Sequence, residues 1–267
     1  MTNTGRLSSS SPNLQNFPIR KDSGKDVRRA FIASGKDYIL MAADYSQIEL
    51  RLIAELSNEE TMLQSFLKGE DIHKSTASKV FKVDLDNVSD EMRSNAKVVN
   101  FGIIYGVSAF GLSEQSTLNR KEASELIKVY FETYPNLKNY IDNQISFAQK
   151  NGYVQTILGR KRYLRNINSR NSFIRGHDER NAVNMPVQGS AADLIKLAMI
   201  SIDKAFSANS LKSKMVLQVH DELVFDVHVS EKEIVKEMVK NTMEQIYTTK
   251  VPLKVDIGFG YNWLEAH

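Results

Sequence analysis

Two stretches each set an acid in apolar surroundings. "YILMAADYSQ" places Asp44 after an apolar run, and "LQVHDELVFDV" carries His220, Asp221 and Glu222 between Val, Leu and Phe. A buried carboxylate without a cation is costly, so it finds a cation or takes up a proton. Magnesium is a natural solution: it prefers oxygen ligands, takes one or two carboxylates and leaves places for water and substrate phosphate. Two aspartates on adjacent strands would hold two ions, the arrangement used for in-line displacement at phosphorus. Spacing alone leaves the alternative of two turn residues whose side chains reach solvent.

A second pattern lies mid-chain. Arg93, Lys97, Phe101 and Tyr105 fall four apart, so they run along one slowly turning helical stripe. Arginine forks onto oxygens and lysine is a movable point charge, which suits a triphosphate. Two aromatics offer the flat apolar surface that a base or sugar needs. The same spacing also describes an amphipathic helix with its aromatics in the core. "NFGIIYG" adds little, because Gly102 and Gly106 do not form a dinucleotide-binding fingerprint.

The elements that must position these residues follow from pattern. Apolar runs predict strands at Tyr38–Asp44, across Met215–Val229 with a turn near His220-Asp221, and over "PLKVDIGFGYNW". "GYVQTILGRKRYL" reads as a hairpin with Gly159 in its turn. Helices are expected over "IELRLIAELS", over Asp90–Tyr105 with Gly106 as its stop, and over Lys121–Lys150 broken or kinked at Pro135. Arg180–Phe206 reads as helix interrupted near Pro186 and Gly189, and Ser230 with Glu233 has capping-box spacing for a further helix. The start, "TGRLSSSSPNLQNFPIR", reads as extended loop. Strands near both ends with helices between them predict an α+β fold, an antiparallel sheet built from distant segments with a helical insertion.

The bulk numbers permit this. The chain has 267 residues, with 42% hydrophobic and 25% charged, which is ordinary for a globular domain able to bury a core. It has no cysteine, which excludes disulfides and Cys-based zinc sites. No stretch reads as a signal peptide or approaches the roughly 20 apolar residues of a membrane span. A net charge of +3 implies no polyanionic partner by itself, but Arg20, Lys21, Lys25, Arg28 and Arg29 cluster early and Arg160, Lys161, Arg162, Arg165, Arg170 and Arg175 cluster later. Such clusters are commonly solvated faces.

Together the stretches "TGRLSSSSPNLQNFPIR", "DYSQIELR", "DIHKSTA", "RSNAKVVNFGIIYG", "GYVQTILGRKRYL", "RNAVNMPVQGSAADLIK" and "LQVHDELVFDV" resemble the family A DNA polymerases of bacterial DNA polymerase I type. They stand in family order and cover nearly the whole chain. Polymerases are among the standard instances of two-ion phosphoryl chemistry, so the mechanism is implied by the resemblance rather than derived. It is attack of a primer 3′-hydroxyl on the α-phosphorus of a deoxynucleoside triphosphate, templated by primer–template DNA. The resemblance implies that Asp44 and Asp221, helped by the Tyr45 carbonyl, bind two Mg2+ ions. Glu222 is implied as an auxiliary acid, with a solvated strand-end Glu as the alternative. His220 is implied near the primer terminus, where a packed histidine remains the other reading. Arg93, Lys97 and His73 match triphosphate contacts, and Lys97 is also the candidate general acid for pyrophosphate. Tyr45 and Gln47 fall in the nucleotide-binding motif. Glu49 matches the steric gate against a ribose 2′-hydroxyl, Phe101 the residue packed on the sugar, and Tyr105 the stacker near the nascent pair.

The resemblance also implies two minor-groove sets, one of Arg6, Asn13, Gln15 and Asn16 and another of Arg180, Asn184 and Gln188. Groove acceptors there are shared by all correct pairs, so such donors would check pair shape without reading sequence. The implied architecture is a right-hand polymerase core, with palm at 1–50 and 188–267 and fingers at 51–187. Thumb and exonuclease segments are expected to precede Met1, which predicts weak, distributive extension without proofreading. Closure of the Arg93–Tyr105 helix onto nucleotide is the expected conformational step. A monomer in the bacterial cytoplasm, associated with the nucleoid and not with membrane, is expected. The alternatives are a folded but catalytically weak or inactive nucleotide- and DNA-binding fragment and a metal-dependent phosphohydrolase. Glu49 argues against a single-subunit RNA polymerase.

Overall fold

The computed structural model describes residues 2–16 and 22–267, apart from the side chains of Asn16, Asp22 and Ser23. Arg20 and Lys21 of the early basic cluster, and the Asn16 side chain, lie outside the described residues. The chain divides into two compact units. One comprises 1–48, 191–248 and 253–267, and the other 49–190 with 249–252.

The first unit is built on an antiparallel sheet. Its strands are β1 (Tyr38–Tyr45), β4 (Lys214–Val219), β5 (Glu222–His228) and β6 (Val255–Gly260), in the order β4-β5-β1-β6. β2 (Tyr153–Gln155) and β3 (Lys161–Tyr163) form a hairpin in the second unit. The period of two sorts the sheet side chains. Met41 pairs with Phe225 and Ala43 with Leu223 on one face, while Ala42 pairs with Val224 and Asp44 with Glu222 on the other. The first face is completed by Phe206, whose ring lies 5.8 Å from Phe225, and by the Tyr45 phenol, which donates to the Met243 carbonyl at 2.8 Å. The second face packs Leu40, Ala42, Val219 and Val224 against Trp263 and Ala266. β5 is buried on both faces over Glu222–Val227, and Leu223, Val224 and Phe225 form an unbroken apolar stretch at its centre.

Helices of the described chain are α1 (Asp22–Arg29), α2 (Ile48–Ser57), α3 (Glu60–Leu67), α4 (Ile72–Phe81), α5 (Asp90–Ile104), α6 (Ala109–Ser113), α7 (Arg120–Thr133), α8 (Pro135–Asn151), α9 (Ser172–Ala208), α10 (Lys232–Glu244) and α11 (Trp263–Ala266). α5 is N-capped by Ser89 and ends before Gly106 at φ +68°, as its sequence predicts. Pro135 begins α8, with Tyr134 as the break after α7.

Three local expectations are corrected. α9 is a single 37-residue helix that begins at Ser172 and runs through Pro186 and Gly189 without interruption. Proline removes one backbone donor, yet Pro186 lies in a stretch of the helix that is buried, with Ala182, Val183, Met185 and Val187. Ser230 does not cap a helix: its hydroxyl bonds His228 Nδ1, and α10 starts at Lys232 after a 3-10 turn. The last strand ends at Gly260, and Trp263 belongs to the short helix α11, capped by Asn262.

Candidate active site

The acids stand on the second face of the sheet. Asp44, near the end of β1, pairs across the sheet with Glu222 of β5 on one side and with Asp256 of β6 on the other. Three carboxylates therefore share one register row. Asp221 is not on a strand. It sits with His220 in the two-residue turn between β4 and β5, and its carbonyl accepts from Tyr45 N at 3.2 Å. His220 holds φ +51°, the left-handed region that such a turn demands at its first central residue and that glycine would occupy without strain. Burial first, then repulsion from Glu222 and Asp221, pushes the Asp44 carboxyl up to about 7. Burial likewise raises Asp221, against the opposing pull of Arg6, whose Nη2 lies 3.9 Å from Asp221 Oδ1.

Glu222 is not a solvated strand-end residue. It is 4% exposed, and both oxygens are engaged, Oε1 by Trp263 Nε1 at 2.6 Å and Oε2 by His267 Nδ1. The bond to Glu222 raises His267 above the usual imidazole range. The Trp263 ring is covered in turn by the Arg28 guanidinium, 4.3 Å from its centroid. A cleft of about 240 Å3 opens beside this clamp, lined by Asp44, Asp256, Ala266 and His267 among others.

Among the described residues, no group of three or more histidine and acidic side chains converges to cage an ion by itself. Asp44 and Asp221 still fit magnesium, which needs one or two carboxylates and takes its other oxygens from water and substrate. Burial, and after it the charges of Glu222 and Asp221, raises the Asp44 carboxyl, and a cation placed between these acids would oppose that shift.

In the second unit, α5 carries the predicted stripe. Arg93 sends Nε and Nη2 to Asp71 Oδ2 at 2.8 and 2.7 Å. Burial alone would raise Asp71, but the bonds from Arg93 and from Lys74 N outweigh it and hold the carboxyl below its usual range. Lys97 is exposed. His73 is 3% exposed, lies 5.6 Å from the Phe101 ring and faces Asn100 Nδ2 through Nδ1 at 3.0 Å. Burial, reinforced by Lys97 and Arg93 against Asp71, lowers His73 to about 4, so it is neutral at pH 7. An amide donating to Nδ1 leaves the imidazole proton on Nε2.

At the C-terminal end of α5, Tyr105 Oη donates to Glu49 Oε2 at 2.7 Å and accepts from Gln188 Nε2 at 3.1 Å. Glu49 is 6% exposed, so it is not a surface residue. Arg180 packs over Gly106, where a Cβ would meet Arg180 Cγ at 2.6 Å. Asn184 Oδ1 is buried without a hydrogen-bond partner among the described residues. Arg180, Asn184 and Gln188 thus share α9 with the expected four-residue spacing, and Arg180 and Gln188 reach the end of α5.

The family model described as DNA polymerase family A matches residues 1–265. The chain belongs to that family. It is 52% identical over 265 residues to DNA polymerase I of Caldicellulosiruptor bescii, covering 99% of this chain and 31% of that protein. It is 50% identical over its whole length to DNA polymerase I of Streptococcus pneumoniae, covering 30% of that protein. The POL domain of Pol1 from M. smegmatis, solved in complex with DNA primer-template and dNTP, superposes with a TM-score of 0.95 at 43% identity, over 100% of this chain and 47% of that one. The chain thus spans about a third of the length of the curated relatives it matches.

Within this family A chain, the N-terminal set is partly gathered at the β4–β5 turn. Gln15 Nε2 donates to Gln218 Oε1 at 3.2 Å, and Gln218 donates to the His220 carbonyl beside it. Arg6 reaches Asp221, whereas Asn13 accepts from Gln15 N at 3.1 Å and stays exposed. Gln47 holds φ +54° just after β1. Sequence reasoning missed Asp256, Asp71, Trp263 and His267. The Asp71 N-cap of α4 was legible from its place before "IHKSTA". The other three needed strand register and the return of α11 onto the sheet.

Proposed function

We propose that this chain is the catalytic core of a template-directed DNA polymerase, adding deoxynucleotides to a primer 3′-hydroxyl. The observation that carries the reading is the acid row of Asp44, Glu222 and Asp256 with Asp221 at the adjacent turn, a cluster of carboxyls in which Asp44 is pushed up to about 7. In this reading the first unit is palm and the second is fingers. Asp44 and Asp221, with the Tyr45 carbonyl, would hold two magnesium ions. Magnesium bound there supplies a lowered pKa for the attacking hydroxyl and neutralises phosphate charge. Glu222 stands beside the site with both oxygens engaged by Trp263 and His267, which makes it a positioning acid.

The triphosphate is held by Arg93, Lys97 and the Nε2 proton of His73. Arg93 trades its exposed pairing with Asp71 for phosphate oxygens, an exchange with little net cost because a surface pair contributes about 0–1 kcal/mol. Lys97 donates the proton that leaves with pyrophosphate. Glu49, fixed by Tyr105, denies space to a 2′-hydroxyl, and Phe101 covers the sugar. Arg6, Gln15, Asn184 and Gln188 supply groove contacts to primer–template DNA. Most of the catalytic effect comes from positioning and charge compensation.

The test is primer extension on a short template at low salt with magnesium, beside Asp221→Asn. Extension that vanishes in the variant supports the reading. Extension retained by Asp221→Asn, or none from a chain shown to be folded by circular dichroism, rejects it for this chain.

A further inference from the structure

The hairpin of β2 and β3 has a surface that the roles above leave unused. One side is core: Val154 and Leu164 are buried with Ala148, Ile167, Ala182 and Met185. On the opposite side the register pairs Tyr153 with Tyr163 and Gln155 with Lys161. The Tyr153 and Tyr163 rings lie 5.9 Å apart, Phe147 of α8 extends the row 5.6 Å beyond Tyr153, and Lys161 Nζ sits 4.3 Å over the Tyr153 ring. Tyr163 is 69% exposed and Phe147 38%.

Hairpin stability does not explain this row. Cross-strand aromatic pairs stabilise a sheet by burying one ring against another, yet Tyr163 leaves most of its ring in water. The hairpin is held without it, by Thr156 N to Arg160 O at 3.0 Å, Arg160 Nη2 to Gly189 O at 2.9 Å and Ile157 N to Ser190 Oγ at 3.0 Å. The hairpin backbone that carries the rings is therefore tied in place before any ligand arrives, which lowers the ordering cost of binding.

Charge names the ligand class. From Asn143 to His177 there is no Asp or Glu and there are seven Lys and Arg. The whole chain has 35 Lys and Arg against 32 Asp and Glu, so outside this segment the protein is net negative. An acid-free cationic segment presenting flat, exposed rings matches the way single-stranded nucleic acid is held: cations track phosphates and bases stack on aromatics without regard to sequence. A duplex keeps its bases stacked internally and offers such rings nothing.

We infer that the Tyr153–Tyr163 face of this hairpin, with Phe147 and Lys161, is a stacking platform for single-stranded DNA. The choice of DNA rests on the polymerase reading, since a template strand is single until it is copied.

The experiment measures fluorescence anisotropy of a labelled oligo(dT) of about 12 nucleotides, within the usual site sizes for single-strand binding, against a blunt hairpin duplex of equal charge. Stacking is worth about 1–3 kcal/mol per base, so Tyr163→Ala is expected to weaken oligo(dT) binding roughly tenfold or more. Duplex affinity should hold, and Tyr163→Phe should retain binding. Lys161→Gln should lower the slope of log affinity against log salt by about 0.7, one phosphate contact on a single strand. Because Tyr163 is exposed, its truncation opens no core, and circular dichroism verifies that. Oligo(dT) affinity unchanged in Tyr163→Ala, or lost equally for both probes, overturns the platform. Primer extension by the unaltered chain runs in parallel. Its absence, with oligo(dT) binding that still needs Tyr163, removes the polymerase reading and leaves the platform standing.

Discussion

The raised Asp44 carboxyl makes a quantitative prediction about stability. Its folded value is about 7 against an ordinary 3.8, so between these values the native state carries a proton that the unfolded chain has lost. Stability must then fall as pH rises through that window and level off above about 7. Asp44→Asn keeps the shape and removes the charge. Each pKa unit is worth about 1.4 kcal/mol, so the variant should gain about 1.5 kcal/mol over the parent at about pH 5 and about 4 kcal/mol at about pH 8. Partial solvent access of Asp44 makes the larger figure an upper bound. Urea unfolding in the presence of chelator measures it, and the chain's single tryptophan, Trp263, is 1% exposed beside the site, so its fluorescence reports the unit that carries Asp44. Magnesium should restore the parent at the higher pH and do little for the variant. A gain that is the same at both pH values would refute the reasoning, because it would mean that Asn helps by packing and not by removing an unmatched charge.

Four further outcomes follow from other parts of the structure. Trp263→Phe keeps an aromatic side chain but removes the pyrrole ring and leaves Glu222 Oε1 without its donor, and should cost at least about 1–3 kcal/mol in urea unfolding followed by circular dichroism; no loss would mean that the indole bond is dispensable. Gly258→Ala should cost about 1–3 kcal/mol and loosen α11, because its Cβ would overlap the Ala266 carbonyl oxygen, and a thermal melt equal to the parent's would contradict that close approach. His220→Gly should stabilise the chain by about 1 kcal/mol, since φ +51° burdens any residue with a Cβ, and a destabilised variant would show that the imidazole contributes more than the turn costs. His73, lowered from 6.5 to about 4, should stay neutral at about pH 6 in an NMR titration. Its contribution should be intact above 6.5 and be lost as pH falls through about 4, so an NMR midpoint near 6.5 would place His73 in water instead.

Sequence by itself determined the local elements and the chemistry-bearing side chains. Apolar runs located β1, β4 and β5; Asp90 and Gly106 bracketed α5; the four-residue spacing put Arg93, Lys97, Phe101 and Tyr105 on one stripe. These are nearest-neighbour effects of side-chain period and capping, written within a few residues. The two corrections in helices are places where distant packing outweighed local preference: Pro186 stays helical in buried surroundings, and Ser230 bonds His228 instead of starting α10. Only the tertiary structure decided which acids share a row. Register sets Asp256 and Glu222 on either side of Asp44 while Asp221 goes to the turn, and a shift of one residue would send the whole set to the other face of the sheet. Only the return of α11 brings Trp263 and His267 onto Glu222, more than forty positions away in the chain, and buries and clamps an acid for which the sequence left a solvated strand end as the alternative.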